Sequence, residues 1–308
     1  MKKLIKVGLL FIGIFLPILV MLGYTVGIGN TSIKDSEKYT YIKVAKEKIR
    51  LIQKGTGKDI LLVHGSPGSI EDWKEILDVL SKDYRVTAFD RPGHGYSSSK
   101  AYTYHIADNA TFIDTLINTL GLQSPLIVGH SYGGSTVAHM ALHSKHKDLK
   151  YIIIDSPLYS FQPDTAYRLV SIPLLGKGIA LLSSFTLANS MIKKGIKPML
   201  KYMDKEKADG LIKERQNIWS QTKVIYSKSK EAVNYQKDLN EISSNYKNIK
   251  SKITLITGKD TEITFNADCK RFHNEVSASE LIELEEVGHY IQFDKPQTVI
   301  KAIKEEIN

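Results

Sequence analysis

At 308 residues, 42% of them apolar and 24% charged, the chain can form one large α/β domain with an insertion, or two small domains. Its net charge of +9 comes from scattered lysines with no dense basic block interleaved with aromatics, which points to solubility or an anionic surface and away from nucleic acid. Cys269 is the sole cysteine, which excludes an intramolecular disulfide, a thiolate metal cluster and a lipoprotein-type N-terminal cysteine.

Lys2, Lys3 and Lys6 precede a stretch from Val7 to Ile28 that is uncharged and dominated by Leu, Ile, Val, Phe and Gly. It is 22 residues long, where about 20 cross a bilayer as a helix and a secretory signal core has roughly 7–15. Gly27-Ile28-Gly29 is a poor cleavage site, whereas Thr25-Val26-Gly27 is a cleavable one. The length ranks an uncleaved anchor first, a cleaved signal second and a buried core helix last. Pro17 and the glycines suit a helix in lipid better than one in water. The lysines before the span, with balanced charge after it (Lys34, Asp35, Glu37, Lys38), leave the N-terminus in the cytoplasm. The expectation is a single-pass membrane protein with residues 1–28 as anchor or signal, 29–38 as tether and the remainder outside the cytoplasm. Secretion after cleavage is the alternative.

From Tyr39 to Gln53 the alternation predicts two strands about a turn at Lys46-Glu47-Lys48. Asp59–Val63 is a continuous apolar strand of the kind buried on both faces, and it ends in His64-Gly65-Ser66-Pro67-Gly68. Trp73, Ile76, Leu77 and Leu80 follow at helical spacing. Arg85–Phe89 is the next strand, ending in Asp90-Arg91-Pro92-Gly93-His94-Gly95. An amphipathic helix runs from Ile106 to Leu120 and is stopped by Gly121. A strand over Pro125–Val128 then leads through Gly129-His130-Ser131-Tyr132-Gly133 into a helix. Tyr151–Ile154 is a further strand, ending at Asp155. Residues 158–250 give helical stretches and no strong strand. Strands return at Ile253–Thr257 and Leu281–Leu284, and Asp294-Lys295-Pro296 opens a final helix.

Strands alternating with helices imply a mostly parallel central sheet with helices on both faces. Ligands of such sheets bind at the carboxyl ends of the strands, where His64-Gly65-Ser66, Asp90, Ser131, Asp155, Asp260 and His289 fall. The helical block 158–250 is then a cap over that edge, inserted between core segments 39–157 and 251–308. Within this frame, Gly-His-Ser-Tyr-Gly between a strand and a helix matches a nucleophile elbow. The sharp turn lifts the serine hydroxyl above the sheet, glycines avoid clashes, and the helix N-terminus faces developing negative charge.

These motifs, with Gly288-His289, resemble the α/β-hydrolase fold family, specifically its cap-bearing, lipase- and esterase-like members. The resemblance covers about residues 39–157 and 251–308. It implies Ser131 as nucleophile, His289 as general base, and the backbone N–H groups of Ser66 and Tyr132 as oxyanion donors. His64, His94 and His130 are better read as loop-fixing residues, and Asp90 as an acceptor for turn amides. The family usually carries its acid three residues past the glycine that ends the strand Ile253–Thr257. That position is Thr261, which cannot serve. Asp260, one residue earlier, ranks first, Glu262 second, and Asp155, the choice of a minority of the family, third.

The resemblance implies hydrolysis of an ester-like acyl bond through an acyl-enzyme, on a small-molecule or lipid-like substrate and without a metal or organic cofactor. A serine at the elbow argues against dehalogenase or epoxide-hydrolase chemistry, which this family performs with an aspartate. The same apparatus serves a thioesterase, an amidase or peptidase, or an acyltransferase. A catalytically inactive, membrane-anchored binding module is the alternative outside enzymes.

Overall fold

A computed structural model describes residues 38–100, 103–146, 149–259 and 265–307, together with isolated helical positions between 13 and 25. Its centre is an eight-stranded sheet in the order β1-β2-β4-β3-β5-β6-β7-β8. The strands are β1 (Thr40–Val44), β2 (Glu47–Lys54), β3 (Asp59–Val63), β4 (Arg85–Phe89), β5 (Leu126–His130), β6 (Tyr151–Ile154), β7 (Ile253–Gly258) and β8 (Ser279–Leu284). β1 pairs antiparallel with β2 and β2 with β4; every pairing from β4 to β8 is parallel.

The continuous apolar runs read from the sequence are buried on both faces because successive side chains alternate across the sheet. Leu61, Val63, Ile127, Ile153 and Leu255 point to one face. They are covered there by α2 (Ile106–Leu120), α3 (Tyr132–His143) and α9 (Asn266–Glu275). Ile60, Leu62, Val128, Ile152, Ile154 and Ile256 point to the other, beneath α1 (Lys74–Leu80) and α11 (Pro296–Ile307). Full burial of each such side chain is worth about 1.5–3 kcal/mol, so a one-residue slip in any strand would forfeit most of it. Gly121 ends α2 in the left-handed conformation, φ 61°, as a glycine after an apolar helix does.

Between β6 and β7 the chain forms α4 (Thr165–Val170), α5 (Gly176–Thr186), α6 (Ala188–Ile196), α7 (Lys205–Trp219) and α8 (Thr222–Ser243). α6, α7 and the turn between them share a core of their own, with Ile196, Leu200, Leu211, Ile212, Ile218 and Trp219, which takes in Tyr290 and Phe293 from the segment after β8, while Tyr235, Leu239 and Ile242 of α8 join the sheet core. The short α10 (Ile291–Asp294) carries Phe293. The cap is therefore seated on the residues that follow His289.

Most of the apolar segment 7–28 and the tether lie outside the described residues, as do Asp260 and Glu262. Among the described residues no helix is long and apolar enough to cross a membrane.

Candidate active site

Ser131 sits between β5 and α3 with φ 55° and ψ −125°, a conformation that costs an L-residue on the order of 1–3 kcal/mol. Several contacts fix it. Its N–H donates to the Ile154 carbonyl on β6 at 3.0 Å, and its own carbonyl accepts from Gly134 N at 2.8 Å and from Ser156 Oγ at 2.8 Å. A Cβ on Gly129 would stand 2.5 Å from the Gly133 carbonyl oxygen, and one on Gly133 would stand 2.3 Å from that of Val63. The elbow closes only with glycine at both places. Ser131 keeps partial exposure while the residues on either side of it are buried.

Tyr132 opens α3, and the first amides of a helix have no partner within it. The loop 64–68 lies alongside, since a Cβ on Gly65 would be 3.4 Å from Ser131 Oγ. The Ser66 and Tyr132 amides, the two donors expected from the sequence, thus belong to segments that flank the same hydroxyl.

His289 Nδ1 is 2.7 Å from Asp155 Oδ2. A carboxylate can only accept, so Nδ1 is the donor, and in the neutral ring the lone pair is on Nε2. Asp155 is fully buried at the end of β6, with φ 39°. Its other oxygen accepts from Thr257 Oγ1 at 2.9 Å and from Phe265 N at 3.3 Å. The expected ranking of acids placed Asp155 third. Asp260 and Glu262 lie outside the described residues, and among the described residues the carboxylate that meets His289 is Asp155. The physical reason is adjacency: β6 lies between β5, which carries Ser131, and β7.

The His289 ring lies 4.6 Å from the ring of His130, the residue before Ser131, and 5.6 Å from that of Phe265. His130 Nε2 donates to the His289 carbonyl at 2.9 Å, tying the two loops together. Burial, with His289 beside it, holds the His130 imidazole well below its usual pKa, so it stays neutral.

A network that the sequence did not disclose holds the loop 64–68. The Arg91 guanidinium donates to the His64 carbonyl at 3.1 Å and the Gly65 carbonyl at 2.9 Å. It also donates to Asn109 Oδ1 and to Glu231 of α8, both at 2.7 Å. His64 accepts the Arg91 amide on Nε2 at 2.9 Å and turns Nδ1 to the Gly65 carbonyl at 2.8 Å. Burial, and then the Arg91 charge, keep His64 neutral. Glu231 also meets His94 Nε2 at 2.9 Å. Burial pushes its carboxyl up, but Arg91 and His94 outweigh that and hold it well below the usual range. Asp90 accepts from the Ile70 and Tyr96 amides and from Arg50, a role in turn geometry.

On the other side, Met199 of the cap covers Gly288, whose added Cβ would fall 2.1 Å from the Met199 carbonyl oxygen. Arg215 of α7 pairs with buried Asp72 at 2.6 Å. Clefts of about 380 Å³, beside Val79 and Lys304, and about 340 Å³, beside His105, His139 and Asp238, are lined by neither Ser131 nor His289. Among the described residues no group of His, Cys, Asp and Glu is arranged to hold a metal ion.

A parallel sheet, a strained serine at its elbow and a histidine–carboxylate pair beside it define a class, and comparison with known proteins identifies the family. The chain belongs to the alpha/beta hydrolase fold family, whose model matches residues 59–296. It is 32% identical over 117 residues to the dihydrolipoyllysine-residue acetyltransferase component of the acetoin cleaving system of Cupriavidus necator, covering 38% of this chain and 31% of that one. It is 33% identical over 137 residues to the pimeloyl-[acyl-carrier protein] methyl ester esterase of Vibrio atlanticus, covering 43% and 47%. These matches span about a third to a half of the relatives' own length. The solved structure of the epoxide hydrolase CorEH superposes with a TM-score of 0.71 at 19% identity, covering 87% of this chain and 97% of that one, and at that identity it speaks for the fold alone.

Proposed function

We propose that this chain is a serine hydrolase that cleaves an ester-like acyl bond through an acyl-enzyme, with Ser131 as nucleophile, His289 as base and Asp155 as acid. The observation that carries this reading is the 2.7 Å contact from His289 Nδ1 to Asp155 Oδ2 beside the strained Ser131. With Nδ1 committed to Asp155, His289 Nε2 accepts the Ser131 proton as Oγ attacks the acyl carbon. Asp155 holds the tautomer and stabilises the imidazolium. The amides of Ser66 and Tyr132 receive the oxyanion, where loss of one donor typically costs ~10²–10³ in turnover. His289 returns the proton to the leaving alcohol, then activates water to release the acyl group. The esterase among the relatives supports an ester substrate.

The segment 7–28 reads as the anchor of a single-pass protein with its hydrolase domain outside the cytoplasm. Its length, its lack of charge and the lysines before it support this. A fluorophosphonate probe on the purified full chain tests the chemistry. Stoichiometric labelling that Ser131→Ala abolishes is expected, and a folded wild-type protein that stays unlabelled would leave only the binding-module reading.

A further inference from the structure

Among the described residues, the exposed large apolar side chains fall in two stretches. One comprises the described helical positions between 15 and 22, where Met21 is 61% exposed. The other is residues 169–202 of the cap, where Leu174 is 71%, Phe185 76% and Leu187 58% exposed. Spacing gathers them into faces. Leu182 and Phe185 are three apart on α5, and Leu187 and Met191 are four apart on entering α6. Lys194 continues the second face, three residues past Met191.

The same stretch carries one sign of charge. From Thr165 to Met203 the sequence has Arg168, Lys177, Lys193, Lys194, Lys197 and Lys201 and no Asp or Glu. The four lysines from 193 to 201 are exposed. The two apolar stretches also meet. A Cβ on Gly23 would stand 2.5 Å from Gly178 N and 2.7 Å from the Lys177 carbonyl oxygen, so the chain at Gly23 lies against the backbone at the start of α5.

Contiguous exposed apolar surface marks an interaction site. An apolar face with a cationic border and no acids is the composition of segments that lie in the headgroup region of anionic bilayers. A second copy fits less well, because a symmetric contact would set these cations against their own copies.

We propose that residues 165–203 of the cap dock on an anionic lipid bilayer, with Phe185 and Leu187 at the acyl boundary and Lys193–Lys201 among the headgroups. Met199 of this stretch covers Gly288, next to His289, so docking brings the hydrolase site to the lipid surface. The proposal extends the reading of segment 7–28 as an anchor, and the two are separable by experiment.

Cys269 is the sole cysteine and fully buried, and burial pushes its thiol up to about 12, so a thiol-reactive fluorophore marks an introduced cysteine selectively. The full chain carrying Phe185→Cys, or Lys301→Cys on the solvent side of α11 as the reference, is reconstituted into phosphatidylcholine vesicles with and without phosphatidylglycerol. Quenching by nitroxide-bearing acyl chains is then measured. The label at position 185 should be quenched several-fold more than the one at 301 when phosphatidylglycerol is present. Reversing Lys193, Lys194 and Lys197 to Glu together should remove the excess, since each cation at such a surface is worth about fivefold in partitioning. Equal quenching of the two labels overturns the proposal. So does shielding of position 185 in lipid-free detergent that rises with protein concentration, which assigns the face to a second copy. Alkaline carbonate extraction of the same vesicles reads the anchor by itself. Retention with equal quenching keeps the anchor and rejects docking, whereas extraction with selective quenching at 185 does the reverse.

Discussion

His289 Nδ1 lies 2.7 Å from Asp155 Oδ2, across a gap of 134 residues in the chain. No shorter stretch of sequence brings the two together; β6 ends beside β5 on one side and β7 on the other. An amide at Asp155 would offer His289 an uncharged partner that no longer enforces the productive tautomer. Asp155→Asn should therefore lower kcat by several orders of magnitude, as the same change costs ~10⁴ in the chymotrypsin-type triad. Asp260→Asn should leave turnover within a few-fold of wild type. Steady-state hydrolysis of a short acyl ester decides between them, and damage confined to Asp260→Asn would reject the assignment.

The central strands were legible because strands buried on both faces read as unbroken apolar runs, as Asp59–Val63 and Tyr151–Ile154 do, whereas β1 and β2 showed as alternation about a turn. The turn at Ser131 was legible because glycine is required where a neighbouring carbonyl oxygen comes within 2.5 Å of the space a Cβ would fill, that of Gly133 at Gly129 and that of Val63 at Gly133. Asp155 was harder to read. Its carboxylate reaches His289 from a backbone at φ 39°, and nothing local in Ile154-Asp155-Ser156 distinguishes that from a strand-end cap. The misfit at Thr261 was the one signal that left the position of the acid open and kept Asp155 among the candidates. Glu231 was not legible, since a glutamate on an amphipathic cap helix reads as solvent-facing until the fold brings it to Arg91.

Glu231 ties the cap to the loop 64–68 through Arg91, with both side chains fully buried. Removing one charge of such a pair leaves the other buried without compensation, at about 3–5 kcal/mol. Glu231→Gln should lower the melting temperature and, by loosening the Arg91 grip on the His64 and Gly65 carbonyls, reduce kcat more than it changes KM. Kinetics well below the melting transition separate the effects. An unchanged kcat in the folded variant would confine Glu231 to a stabilising role.

Gly288 has room for no side chain, because its Cβ would stand 2.1 Å from the Met199 carbonyl oxygen and 3.3 Å from Asp294 Oδ2. The clash is with backbone, so either the cap or the His289 loop must shift. Since Gly288 N also donates to Asp294 at 2.6 Å, the loop is held on both sides. Gly288→Ala should cut kcat by on the order of 10²-fold, as misplacements of about 1 Å do, while fluorophosphonate labelling of Ser131 slows in parallel. Wild-type kcat would mean that the cap yields and His289 does not.

Lys223 of α8 is buried, with Nζ donating to the Ser97 carbonyl at 2.8 Å and the Tyr96 ring 6.0 Å away. Burial lowers its pKa to about 7 from 10.5; Asp90 opposes the shift and Arg50 adds to it. The folded state therefore binds fewer protons at this site than the unfolded state between those two values. Stability from this group rises with pH across that window, is complete above the unfolded value, and is lost as pH falls through the folded one. The slope for one group is at most about 1.4 kcal/mol per pH unit. Lys223→Met removes the titration and keeps most of the volume, so its stability should rise less steeply than that of wild type between about pH 7.5 and 9.5. At the lower end of that range the variant should be the more stable of the two, because it no longer sheds a proton to fold, and the loss of one hydrogen bond to Ser97 offsets only about 1 kcal/mol of that gain. Urea denaturation at several pH values measures both quantities. Parallel stability curves for the two proteins would show that Lys223 is charged in the folded state.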